Sequence, residues 1–176
     1  MHEDLKPILE KCSAWGALDT KVIPSSQVAL ATWVRLKCQY GCPNYGLRLD
    51  CPPHTPGPDT MARLLQEYSR VLLLKLRRYE YYRPEWSGLV LKVERELFLS
   101  QFHRAFALGA GACGYCETEC VRQTGRCPKP QNIRPSTESM GVDWFQTLRN
   151  AGWGLSVVTE RPTDGLPASY SMILVD

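Results

Sequence analysis

Cysteine is the residue in this chain whose spacing implies chemistry. Eight occur in 176 residues, and seven fall into two short stretches, Cys38-x3-Cys42-x8-Cys51-Pro52-Pro53 and Cys113-x2-Cys116-x3-Cys120-x6-Cys127-Pro128. Thiolates are soft ligands that suit zinc and iron-sulfur centres. The second stretch packs four thiols into fifteen residues. That compact run is closer to those that wrap a 4Fe-4S cluster than to the two separated Cys-x2-Cys knuckles of a tetrahedral zinc site. Zinc is the alternative at either loop. Three thiols in the first stretch would hold a cubane with one iron left open for water, a substrate, His54 or Cys12. An open iron can do chemistry, with Arg35, Lys37 or Arg48 supplying charge, whereas a fully ligated cluster mainly carries electrons.

The other residues of this kind are fewer. Cys12 falls on the apolar face of an amphipathic segment, where a small buried thiol needs no ligand role. His2 is terminal, and His103 has no second ligand one helical turn away, so neither reads as a metal site. Arg122, Arg126, Lys129 and Arg134 place positive charge near an anionic cluster, or simply a solvated surface. Residues 75–86, Lys75-Leu76-Arg77-Arg78-Tyr79-Glu80-Tyr81-Tyr82-Arg83-Pro84-Glu85-Trp86, interleave cations with aromatics in the manner of a single-strand nucleic-acid grip. A strand end running into a surface loop explains them equally and is preferred. No phosphate-binding glycine loop and no nucleophile motif is present.

Something must hold the two thiol stretches in place, because their own composition does not. Between residues 38 and 58 there are eight prolines or glycines, a density that predicts an irregular loop. The stretch from 109 to 135 reads the same way. Metal ligation would supply the order such loops lack, coupling folding to binding. Around them, the spacing predicts a helix over 3–15, an extended segment at 21–24 and an ambiguous stretch over 28–34. A helix follows, capped by Asp59 or Thr60 and carrying Met61, Leu64, Leu65 and Tyr68 on one face. Val71 to Leu76 predicts a strand covered on both faces. A long helix is expected over 89–108 with Gly109 as its stop, and another from a Ser136 cap to Ala151, closed by Gly152. Strands at 155–160 and 170–175 complete the pattern. The expected fold is α/β or α+β, a small mixed sheet with packed helices and two cysteine-rich metal-binding loops, in one domain over 1–176.

Taken together in order, Lys37-Cys38-x3-Cys42-Pro43-x-Tyr45-Gly46 with Cys51-Pro52-Pro53, then Gly109-Ala110-Gly111-x-Cys113 through Cys127-Pro128, then Arg134-Pro135-Ser136-x-Glu138 and Gly141-Val142-Asp143, resemble a known family. It is the family of predicted metal-binding proteins catalogued as domain of unknown function family twenty-two eighty-four, and the likeness runs from about residue 30 to the C-terminus. The resemblance implies metal binding of iron-sulfur type in a cytoplasmic protein of mostly anaerobic prokaryotes, with no established reaction. The seven loop cysteines match family positions. Cys12 belongs to no motif of the family, and Ala112 stands where members often have proline.

Composition bounds the rest. With 44% hydrophobic and 22% charged residues the chain is ordinary for a globular protein, and a net charge of +3 is too small to imply nucleic acid. The charged start, Met1 to Pro7, has no apolar h-region, and no run approaches a membrane span, so a cytoplasmic location is expected, where thiols stay reduced. The expected function is electron transfer, or reduction of a small substrate at the three-cysteine cluster, by a protein with one or two 4Fe-4S clusters. The alternative is a zinc-binding structural or interaction domain without catalysis. The expected partner is a redox protein or a small-molecule substrate, with no membrane and no nucleic acid.

Overall fold

The computed structural model describes residues 2–43, 45–77, 84–113, 116, 125–154 and 168–176. Nine regular elements follow in chain order: α1 Lys6–Ala14, β1 Asp19–Pro24, α2 Thr32–Gly41, α3 Pro58–Glu67, β2 Arg70–Leu76, α4 Pro84–Leu99, β3 Phe106–Leu108, α5 Trp144–Asn150 and β4 Ser169–Leu174. The strands form one sheet in the order β1-β2-β4-β3, with all three pairings antiparallel. The fold is therefore α+β, as expected, and among the described residues the sheet is antiparallel rather than mixed. The strand expected at 155–160 lies outside the described residues.

Alternation along β2 explains why both faces of the sheet are covered. Val22, Leu72, Ile173 and Ala107 stand in register across the four strands. Leu72, Ile173 and Ala107 are buried against Leu5, Ile8 and Cys12 around α1 and against Val93 and Leu97 of α4. One residue away, the row Ile23, Val71, Leu174 and Phe106 points to the other face, because successive side chains on a strand alternate. Ile23, Val71 and Leu174 there join Met61 of α3, Met140, and Trp144 and Leu148 of α5. Each such fully buried aliphatic side chain contributes about 1.5–3 kcal/mol. The first cysteine stretch meets this second face, where Leu49, Asp50 and His54 border the same cavity as Met140 and Leu174.

Three helix boundaries differ from the sequence expectation. Helix α4 stops at Leu99 rather than running to 108. Phe102 N–H donates to the Leu97 carbonyl at 3.0 Å and Gln101 N–H to that of Phe98 at 3.2 Å, with Gln101 at φ 76. This is the paired closure usually made by glycine, so a glutamine in that position gave no sequence signal. Helix α3 begins at Pro58 with Gly57 as N-cap, so Asp59 sits in the first turn and neither it nor Thr60 is the cap. Ser136 caps no helix: a 3-10 turn, Glu138–Met140, follows with Thr137 at its N-cap, and the Ser136 hydroxyl accepts the Ser139 N–H at 3.2 Å. The chain then bends at Gly141, at φ 85, where a Cβ would stand 2.7 Å from that of Pro58. Asp143 restarts the helix, its carboxylate accepting the Gln146 N–H at 3.1 Å.

Candidate metal centre

The first cysteine stretch is half helix. Residues 38–41 continue α2, so the expected loop begins only at Cys42, the C-cap. Pairing of 29–31 with 141–143 fixes the entry to α2, with Ala31 N–H donating to Gly141 O at 2.8 Å and Asp143 N–H to Ala29 O at 2.9 Å. The four-residue spacing then sets Cys38 and Cys42 on one side of the helix end. Arg35, one turn before Cys38, donates to the carbonyls of Pro56 at 2.8 Å and Ser139 at 3.0 Å. It thus staples α2 to the far end of the loop that carries Cys51.

Cys51 is tied to the second stretch through its neighbour. Asp50 is 1% exposed, its Oδ2 accepts the Cys113 N–H at 2.5 Å, and the Cys51 Sγ lies 3.9 Å from that same oxygen. The Asp50 carbonyl accepts the Ser136 N–H at 3.0 Å. Arg48 donates to the Cys113 carbonyl, and its Nε lies 3.8 Å from Asp50 Oδ1. The second stretch begins where Gly109 is pinned, its N–H donating to Pro135 O at 2.8 Å and its carbonyl accepting from Thr137 N–H at 3.1 Å. A Cβ on Gly109 would come within 3.3 Å of the Gly111 carbonyl, a tight contact that the turn would have to open by a few tenths of an ångström to admit.

Electrostatics define what the thiols can do. Burial pushes the Cys51 thiol up to about 12, the Asp50 charge adds to the rise, Arg48 opposes it, and Cys38 and Cys42 raise it further. Burial also raises Cys38, with Glu138 and Cys42 adding to the rise. Burial and neighbouring negative charge thus both disfavour the thiolates of Cys38 and Cys51. A cation would reverse that preference, because it rewards the thiolates that burial and mutual repulsion disfavour. In donor type Cys38, Cys42 and Cys51 suit a metal or an iron-sulfur cluster, which they would hold once drawn together around it. Among the described residues no three His, Cys, Asp or Glu side chains lie close enough together to grip an ion.

The other predicted residues are placed as follows. Cys38, Cys51, Cys113, Cys116 and Cys127 are half-buried and Cys42 is exposed, while Cys120 lies outside the described residues. Cys12 is 0% exposed within the core on the α1 and α4 face, and burial raises its thiol to about 12. It packs there among Leu5, Ile8, Val93 and Leu97. The His54 Nε2 lies 3.3 Å from the Gly46 carbonyl oxygen. Lys37 stacks over the Trp33 ring at 5.0 Å. Arg134 pairs with Glu94, Arg126 and Lys129 are exposed, and Arg122 lies outside the described residues. So do residues 78–83 of the cation and aromatic segment.

Two residues escaped the sequence reading. Asp50 looked like one more polar loop residue. Glu138 appeared only inside a motif, yet its carboxyl, raised by burial, accepts from the Thr137 hydroxyl at 3.1 Å and acts on Cys38. A carboxylate directly preceding a cysteine in a turn-rich loop was the available signal for Asp50.

Helices and an antiparallel sheet that hold up two thiol-bearing stretches define an α+β protein suited to binding metal. The family described as predicted metal-binding protein (DUF2284) matches residues 21–175, and the chain belongs to it. No curated protein and no solved structure shows significant similarity to the chain. Among the described residues no helix is long and apolar enough to cross a membrane.

Proposed function

We propose that the chain is a cytoplasmic iron-sulfur protein with two centres. Cys113, Cys116, Cys120 and Cys127 would hold one 4Fe-4S cluster, and Cys38, Cys42 and Cys51 a second with one iron open. Such centres supply one-electron transfer, here to a redox partner protein or to a small-molecule substrate at the open iron. The observation that carries the reading is the shared carboxylate of Asp50, which the Cys113 N–H and the Cys51 Sγ border together. A cysteine of each set, Cys113 through its backbone N–H and Cys51 through its Sγ, therefore meets the same buried carboxylate, and this supports two centres near enough for an electron path.

The protein's part is to seat the thiols and control their surroundings. Arg48 and Asp50 fix Cys113 relative to Cys51, and Arg35 fixes the helix that carries Cys38. Anaerobically purified protein should show broad visible absorbance that bleaches with dithionite, and an EPR signal should appear as it does. A colourless protein that holds zinc would overturn the iron-sulfur reading in favour of a structural domain.

A further inference from the structure

Beside the first cysteine loop an open cleft of about 620 Å³ runs between that loop, α3 and the edge strand β3. The volume lies within the range of small-molecule sites, roughly 300–1,000 Å³. Its walls are largely apolar, with Leu64 from α3, Phe106 from β3, Ile133, Met140 and Leu174. Phe106 continues the buried row of Val71 and Leu174 past the end of the core and is 38% exposed there. The Arg134 guanidinium stands 5.4 Å from the ring centroid, and the part of the ring still exposed on the cleft wall offers an apolar ligand a surface to cover.

The two ends of the cleft differ in charge. At one end His103 and Arg104 follow the close of α4 and meet the end of α3. Arg104 is held firmly: its Nη1 donates to the Glu67 carbonyl at 3.0 Å, its own carbonyl accepts from the Tyr68 hydroxyl at 2.7 Å, and its guanidinium stands 5.2 Å from the Tyr68 ring. Arg70 and Arg134 each pair with a carboxylate. Among the described residues none lies within 4 Å of Arg104, and its Nε and Nη2 have no hydrogen-bond partner there. It is a positioned cation whose remaining donors await an anion. At the other end lies Asp50, whose Oδ2 is taken by Cys113 and whose charge is offset by Arg48, with Cys51 next to it.

We propose that this cleft binds a small molecule with an apolar body and a single anionic group, the anion held by Arg104 and the body extending toward Asp50 and Cys51. The assignment rests on the cleft and not on which metal the loops hold. Only its further reading, that the bound molecule is the substrate reduced at the first loop, rests on the proposed function.

The test is calorimetric titration of the anaerobically purified protein with 4-phenylbutyrate and with its neutral isostere 4-phenylbutyramide. The carboxylate should bind about tenfold more tightly than the amide, the usual gain from a charge-assisted hydrogen bond. Arg104→Gln should remove that preference and leave amide affinity unchanged. Ile133→Trp or Leu64→Trp, each filling the cleft from a different wall, should abolish binding of both. Equal affinity of the two probes, preference retained in Arg104→Gln, or no heat from either at millimolar concentration would each overturn the proposal. Iron assayed on the same sample separates the two readings: binding by a protein that lacks iron defeats the iron-sulfur function and leaves the cleft assignment standing.

Discussion

Removing the Asp50 carboxylate should loosen both cysteine stretches at once, because a single oxygen serves Cys113 and borders Cys51. A hydrogen bond to a charged acceptor contributes about 1.5–3 kcal/mol, and removing one member of a buried ion pair costs about 3–5 kcal/mol. Asp50 accepts the Cys113 N–H at 2.5 Å but lies a longer 3.8 Å from Arg48, so Asp50→Ala is placed at the low end, about 3 kcal/mol. Asp50→Asn keeps an acceptor for Cys113 and should lose only about 1 kcal/mol. The two variants also differ in pH behaviour. Burial raises the Asp50 carboxyl above its ordinary value of 3.8, so the folded state holds that proton more tightly than the unfolded chain. The stability this proton brings is fully present below 3.8 and is lost as pH rises through the folded value. Asparagine does not titrate, so Asp50→Asn should gain on the wild type as pH rises above 3.8. Urea unfolding followed by tryptophan fluorescence gives the stabilities, and metal release to a chelator reports on both stretches. An Ala variant within about 0.5 kcal/mol of wild type, releasing metal at the wild-type rate, would refute the junction.

Three further expectations follow from single positions. Cys12→Ala should keep the full metal content while losing about 1–2 kcal/mol from the core. Its thiol rises from 9.0 to about 12 on folding, so above pH 9 it should add about 1.4 kcal/mol per unit to the fall in wild-type stability, and Cys12→Ala should lower the observed slope by that amount while the contribution of Cys51 remains. Gln101→Gly should stabilise by about 0.5–1 kcal/mol in thermal unfolding, since the left-handed backbone costs glutamine about 1–2 kcal/mol and glycine loses about 0.5–1 of that in chain entropy. Gly141→Ala should destabilise by at least about 2 kcal/mol in urea, through its left-handed φ and the 2.7 Å approach to Pro58; an unchanged midpoint would show the turn to be more pliable than drawn.

The core could be read from pattern because alternation and helical spacing are local properties. Val71 to Leu76 announced a strand covered on both faces, and Met61 and Tyr68 announced the face of α3. Boundaries were missed where an unusual residue took a usual role. Gln101 ends α4 in place of glycine, and Gly141 interrupts what Ser136 to Ala151 presents as one helix because Pro58, distant in sequence, leaves no room for a side chain. Cys38 was read as loop because the prolines and glycines after it hid the helical turn it closes. The candidate site was legible as types and spacing but not as geometry. That Asp50 joins the two stretches and Arg35 staples the first depends on contacts across about sixty-five and a hundred residues, which spacing does not encode.

The account stands most directly on what the seven loop cysteines hold. Iron, acid-labile sulfide and zinc should be measured per chain on protein purified without oxygen. Two cubane clusters predict roughly eight irons and eight sulfides with little zinc. Stoichiometric zinc without sulfide, or no bound metal at all, would contradict it.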